Sequence, residues 1–187
     1  MYNIRCAGTT IVWFFLIIMA CICSVQGQVV QSSCDSYVYT QEDIVTGKLV
    51  RGTKAPLIVT DKDSIVGFSI NMALSYESDV IVVNIEVYGG GVCIDDDANV
   101  FVLFTDTTRL STTVSNSFNC DRTATLYFGG IFKKVDICEQ LLDKQIKALR
   151  VSTENGLVTQ FFTKAQAERF RRSLRCLYDM SNMSKED

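Results

Sequence analysis

The sequence predicts an α+β, mostly β domain: an antiparallel meander or sandwich-like sheet, with a short helix near 136–144 and a C-terminal helix packed on it. Three observations carry that expectation. Apolar and polar residues alternate in short runs between residues 64 and 162, the period of a strand with one buried face. The runs are joined by brief links rich in Gly, Asn, Asp and Ser, the pattern of strand-to-strand turns rather than long crossovers. Beyond residue 162 the period becomes helical.

The elements follow in order. From Cys34 to about Thr60 short strand-like pieces are broken by Gly47, Gly52 and Pro56. In "SIVGFSINMALSY" (Ser64 to Tyr76), Val66, Phe68, Ile70, Met72 and Leu74 point one way and smaller or polar residues the other. The β-branched run "DVIVVNIEVY" (Asp79 to Tyr88) is its expected partner, followed by "NVFVLF" (Asn99 to Phe104), "RLSTTV" (Arg109 to Val114) and "TATLYF" (Thr123 to Phe128). Short links make an antiparallel meander the economical topology for these runs. After Gly129-Gly130, "DICEQLLDK" (Asp136 to Lys144) reads as a helix with Asp136 as N-cap. "IKALRVST" and "LVTQFF" are then joined through Asn155-Gly156, the signature of a type I′ hairpin turn in which both residues take positive φ. Finally, Thr163 and Gln166 form a capping box ahead of the stripe Ala167, Phe170, Leu174, Leu177. Lys164, Arg169, Arg171, Arg172 and Arg175 occupy the other face, read as a solvated surface rather than an anion site, with Glu168 and Arg172 spaced to pair.

The N-terminus differs from the rest. After Arg5 comes the apolar run "IVWFFLIIMACIC" (Ile11 to Cys23), then "SVQGQ", with Val25 and Gly27 as small residues before a cleavage point. This is the pattern of a secretory signal peptide over 1–27, followed by one β-rich domain over 28–180 and a frayed tail over 181–187. The run is shorter than the roughly 20 residues that span a bilayer. A membrane role is expected only if this segment is retained or Cys21, at the end of a loose lipobox "IMAC", is lipidated. The expected location is exported, periplasmic or at the cell surface.

Composition narrows the chemistry. With 48% hydrophobic and 21% charged residues the chain is globular, and only Arg5 of its 18 basic residues leaves with the signal segment. The remaining domain is mildly acidic, which disfavours nucleic acid as a partner. There is no histidine, so a Ser-His-Asp triad, a Cys-His pair and an HExxH zinc helix are impossible. Catalysis would have to use paired carboxylates, and no cleft rich in aromatic residues announces a glycan substrate; the one tryptophan, Trp13, lies in the signal segment. The expectation is a non-enzyme with no cofactor.

Five cysteines remain after cleavage: Cys34, Cys93, Cys120, Cys138 and Cys176. An odd number in an oxidising compartment leaves at least one unpaired. In a meander the links 89–98 and 115–122 lie at one end of the sheet, so Cys93–Cys120 is the preferred disulfide. Cys93–Cys176 is its competitor, because the final helix runs back toward that end. A three-thiolate metal site ranks behind both. Asp95, Asp96 and Asp97 are weak metal candidates, since consecutive carboxylates diverge and the alternation of a calcium loop is missing. The glycines Gly89 to Gly91 precede a strand, not a helix, which disfavours phosphate.

"CDSYVYTQEDIVTGK", "VCIDDDANVFVLF" and "IKALRVSTENGLVTQFFTKAQAERFRRSLRCL", in this order, resemble small exported proteins of uncharacterised function from Bacteroidetes bacteria. Val45 stands where a phenylalanine often precedes the TGK of that pattern. The resemblance implies an exported single domain and brings no activity, cofactor or catalytic residue. The expected function is therefore an exported binding or structural domain, with a protein or envelope component as partner. The alternatives are a carboxylate-based hydrolase or carbohydrate-acting enzyme built on Asp95–Asp97, and a lipid-anchored envelope protein.

Overall fold

The computed structural model describes residues 34–60, 65–75, 79–89 and 92–181. The chain divides into two compact units, Met1–Ser36 and Tyr37–Asp187, and every strand and helix below lies in the second. The expected signal segment, Cys21 included, and the tail from residue 182 are outside the described residues.

Among the described residues ten strands form two antiparallel sheets. The six-stranded sheet contains β1 (Val38–Glu42), β2 (Leu49–Thr53), β3 (Leu57–Thr60), β4 (Gly67–Leu74), β5 (Ile81–Tyr88) and β8 (Thr123–Phe128). The four-stranded sheet contains β6 (Asn99–Phe104), β7 (Arg109–Thr113), β9 (Ile146–Thr153) and β10 (Gly156–Phe161), in the order β10-β9-β6-β7. Two helices complete the unit, α1 (Val135–Asp143) and α2 (Lys164–Met180). The class is α+β, mostly β, as the alternation indicates.

The continuous meander is corrected. β4 and β5 pair along their whole length, but the next neighbour of β5 is β8, with Ile85 opposite Ala124, rather than β6. The β6–β7 hairpin leaves for the second sheet, where β6 pairs with β9. Short links do not distinguish a turn back onto the same sheet from a step across to another.

β2 and β3 run end to end along one edge of β4. Arg51 faces Leu74 and Leu57 faces Ile70, so the edge carries two more residues than its partner between those pairs. The surplus bulges at Lys54–Pro56, outside the ladder, where the missing N–H of proline costs no strand-to-strand bond. Thr53 Oγ1 accepts from Met72 N at 3.2 Å, and Arg169 of α2 donates to Ala55 O at 3.2 Å.

One face of the six-stranded sheet is buried along β4 and β5: Phe68, Ile70, Met72 and Leu74 of β4 stand opposite Val87, Ile85, Val83 and Ile81 of β5. The other face carries exposed Asn71 and Glu86. α2 packs across β1 to β4 through Ala167, Phe170, Leu174 and Leu177, the stripe that helical spacing predicts. Its capping box is formed: Gln166 N donates to Thr163 Oγ1 at 3.2 Å, and Thr163 N donates to Gln166 Oε1 at 2.8 Å.

Two local expectations change. Helix α1 starts at Val135 with Lys134 as N-cap in a left-handed conformation (φ 47°), so Asp136 lies in the first turn and complements the helix dipole instead of capping it. The chain enters from a 3-10 turn, Gly130–Phe132, and Lys134 Nζ is held by Thr113 O at 3.1 Å. In the β9–β10 hairpin Thr153 pairs with Gly156, so Glu154 and Asn155 are the central residues. Only Gly156 takes positive φ (116°), so the turn is not type I′. Glycine alone among these residues adopts that conformation without Cβ strain.

Candidate functional site

The links 89–98 and 114–122 carry the chain between the two sheets and run side by side. Ile94 N donates to Asn119 O at 2.8 Å and Asn119 N to Ile94 O at 3.0 Å, a bridge outside any strand. Beside it Cys93 and Cys120, their Cα atoms 4.1 Å apart, form a disulfide. Glu154 N of the β9–β10 turn donates to Cys93 O at 3.2 Å, tying a third segment to the same place. Cys176 is buried and disulfide-bonded, but not to Cys93; Cys34 is disulfide-bonded too. Cys138 is a buried free thiol, pushed up to about 12 chiefly by burial and further by Glu139. Disulfides persist in oxidising compartments and are rare in the cytosol, so the chain belongs to a non-cytoplasmic location. Among the described residues no helix is long and apolar enough to cross a membrane.

Asp95, Asp96 and Asp97 are all exposed and make a tight turn. Ala98 N donates to Asp95 O at 3.2 Å, Asp97 takes φ 59°, and the Asp96 carboxylate accepts from Phe118 N of the neighbouring link. Asp96 thereby joins the two links, while Asp95 and Asp97 bond only within the turn. Among the described residues no group of three His, Cys, Asp or Glu side chains could hold a metal ion.

The basic face of α2 is largely occupied. Glu168 pairs with Arg172 at 2.7 Å and Arg171 at 2.6 Å, which holds its carboxyl below the usual glutamate range. Arg172 also lies over the Tyr37 ring, and Arg175 is 3.6 Å from Asp143.

A different surface stands out. β6 is apolar on both faces: Val100, Val102 and Phe104 are buried, while Phe101 and Leu103 point out of the four-stranded sheet. The pairing registers build two outward rows. One runs Arg109, Leu103, Ala148, Phe161; the next runs Ser111, Phe101, Arg150, Thr159. Ala148 is the small member of its row, set between Leu103 and Phe161, and a cavity of ≈ 480 Å³ opens over this face. Phe101 is 38% exposed and Phe161 55%.

Arg109 and Arg150 flank the apolar floor. Arg150 Nε donates to Thr159 Oγ1 at 2.8 Å, which orients the guanidinium. Neither arginine makes an ion pair among the described residues, and no carboxylate lines the cavity. Cationic groups beside an exposed hydrophobic hollow can bind an apolar group that carries negative charge.

A second feature is the β1–β2 hairpin tip. Asp43 Oδ1 accepts from Val45 N (2.8 Å) and Thr46 N (2.9 Å), which holds the Asp43 carboxyl below its ordinary value. Gly47 at φ 67° donates to Asp43 O at 2.7 Å and closes the loop. This frame presents Ile44 and Val45, which are 95% and 93% exposed, to solvent.

Sequence reasoning missed both surfaces. The signals were present: "NVFVLF" lacks the polar alternate positions of a half-buried strand, and Ile44-Val45 puts two aliphatics inside a turn sequence.

Compared with family models, curated proteins and solved structures, the chain matches none.

Proposed function

We propose that this chain is an exported, non-enzymatic binding domain of the periplasm or cell surface that makes its contacts through the outer face of the four-stranded sheet. One observation carries the reading: an apolar cavity of ≈ 480 Å³ flanked by two arginines that have no acidic partner among the described residues. That volume lies in the ordinary range for binding pockets. The apolar N-terminal run and the disulfides support the compartment. A carboxylate-based hydrolase would need two acids converging in a cleft, and the exposed Asp95–Asp97 turn lies outside the cavity lining. Lipid anchoring through Cys21 is decided by the mass of the mature N-terminus.

The experiment is titration with anilinonaphthalene sulfonate, an apolar anion. The wild type should show one saturable site, lost in Phe161→Glu and in Arg150→Glu while the near-ultraviolet circular dichroism is unchanged. Binding that is unaffected by both substitutions would remove this face as the contact surface.

A further inference from the structure

We propose that the arginine-flanked cavity receives the β1–β2 hairpin tip of a second copy of this chain. The inference rests on the reading of the four-stranded sheet's outer face as a contact surface, and it names the occupant.

Three complementarities support this pairing. The first is apolar: Ile44 and Val45 have the highest exposures among the large hydrophobics of the described residues, and they are adjacent. A narrow aliphatic tip suits the hollow left where Ala148 separates Leu103 from Phe161. The second is charge. Glu42 and Asp43, both acidic, immediately precede the tip. These acids would meet Arg109 and Arg150. Lys48 follows the tip, but two acids precede it, whereas Ile131, also strongly exposed, is followed by Lys133 and Lys134 and has no acid within three residues. The third is preorganisation. The Asp43 bonds and Gly47 hold the tip in shape before contact, and Thr159 holds Arg150, so little freedom is lost on docking.

The tip and the cavity are different patches, one on each sheet, so the contact is heterologous. It should weaken as salt screens the acidic and basic groups.

Sedimentation of the disulfide-intact secreted protein tests this. The wild type should associate with increasing concentration. Ile44→Asp/Val45→Asp and Arg109→Glu/Arg150→Glu should each lower the association constant at least tenfold. Mixing the two variants should restore a 1:1 heterodimer, because one intact cavity then meets one intact tip. The proposal is overturned if the wild type stays monomeric at the highest attainable concentration, if the tip variant associates like the wild type, or if the mixture stays monomeric. Dye binding separates the two readings, since Ile44→Asp/Val45→Asp leaves the cavity intact. A monomeric wild type whose cavity still takes anilinonaphthalene sulfonate loses the self-docking but keeps the contact surface. A monomer whose dye binding ignores Phe161→Glu loses both. Phe161→Glu also serves as a second cavity variant should the double arginine substitution fail to fold.

Discussion

β4 and β6 lie in different sheets and treat their apolar residues differently. β4 buries Phe68, Ile70, Met72 and Leu74 on one side and turns Ser69, Asn71 and Ala73 to the other, as a half-solvated strand should. β6 buries Val100, Val102 and Phe104, yet also turns Phe101 and Leu103 outward beside Phe161. The six-stranded sheet has α2 across β1 to β4. The outer side of the four-stranded sheet keeps a cavity between apolar side chains and arginines. Apolar surface that is buried within the chain reports on stability. Apolar surface left outside, with cations at its border, is the place of the contact proposed above.

The sharpest break of this contrast is one phenylalanine from each sheet. Phe68→Ala should lower unfolding free energy by about 3–5 kcal/mol in urea titration, because it leaves a cavity in the buried face. Phe161→Ser, at a half-exposed position, should stay within about 0.5 kcal/mol of wild type while dye binding is lost. Equal destabilisation by both would mean that the two faces are not different in kind.

Next in size is the disulfide that ties the links between the sheets. Cys93→Ser/Cys120→Ser should cost about 2–4 kcal/mol, since the bond closes a loop of sequence separation 27 in the unfolded chain. Thermal unfolding under non-reducing conditions checks it. A smaller effect is expected at the helix over the six-stranded sheet, where Thr163→Ala removes the acceptor for Gln166 N. It should cost about 1 kcal/mol and leave dye binding on the other sheet unchanged.

The smallest effect is in acid. Glu168 is held below its ordinary value of 4.5, first by its hydrogen bonds to Arg172 and Arg171. A depressed folded value means that its contribution is complete above 4.5 and is lost as pH falls through the lower folded value. Because the pair is largely exposed, the loss should be slight. Glu168→Gln should therefore lower stability at pH 7 but not near pH 2. Acid titration by circular dichroism reads the difference, which should be confined to α2 and leave the cavity unaffected.

Much of the local structure was legible in the sequence. "NVFVLF" and "TATLYF" are strands with the expected ends, the Thr163–Gln166 box caps α2, and the stripe Ala167, Phe170, Leu174, Leu177 is buried. Each depends on side-chain periodicity or on a hydrogen bond between residues three apart, both of which act within one element. The N-cap at Asp136 and the type I′ turn at Asn155-Gly156 went otherwise because each was set by its surroundings. Lys134 is pulled to Thr113, and Thr153 pairs one position earlier than the Asn-Gly signal implies.

By itself the sequence determined which segments are strands and helices, that the class is α+β, and that no histidine chemistry is available. These follow from composition and from periods of two and 3.6 residues. Only the tertiary structure decided that β5 takes β8 as its neighbour, and that β6 and β7 cross to a second sheet. It also settled the partner of Cys93 as Cys120, the pairing the sequence preferred, over Cys176, and it set Ala148 between Leu103 and Phe161 under the cavity. Strand partners are chosen by packing between residues far apart in the chain, and β5, apolar enough to pair with either β6 or β8, carries no local mark of that choice.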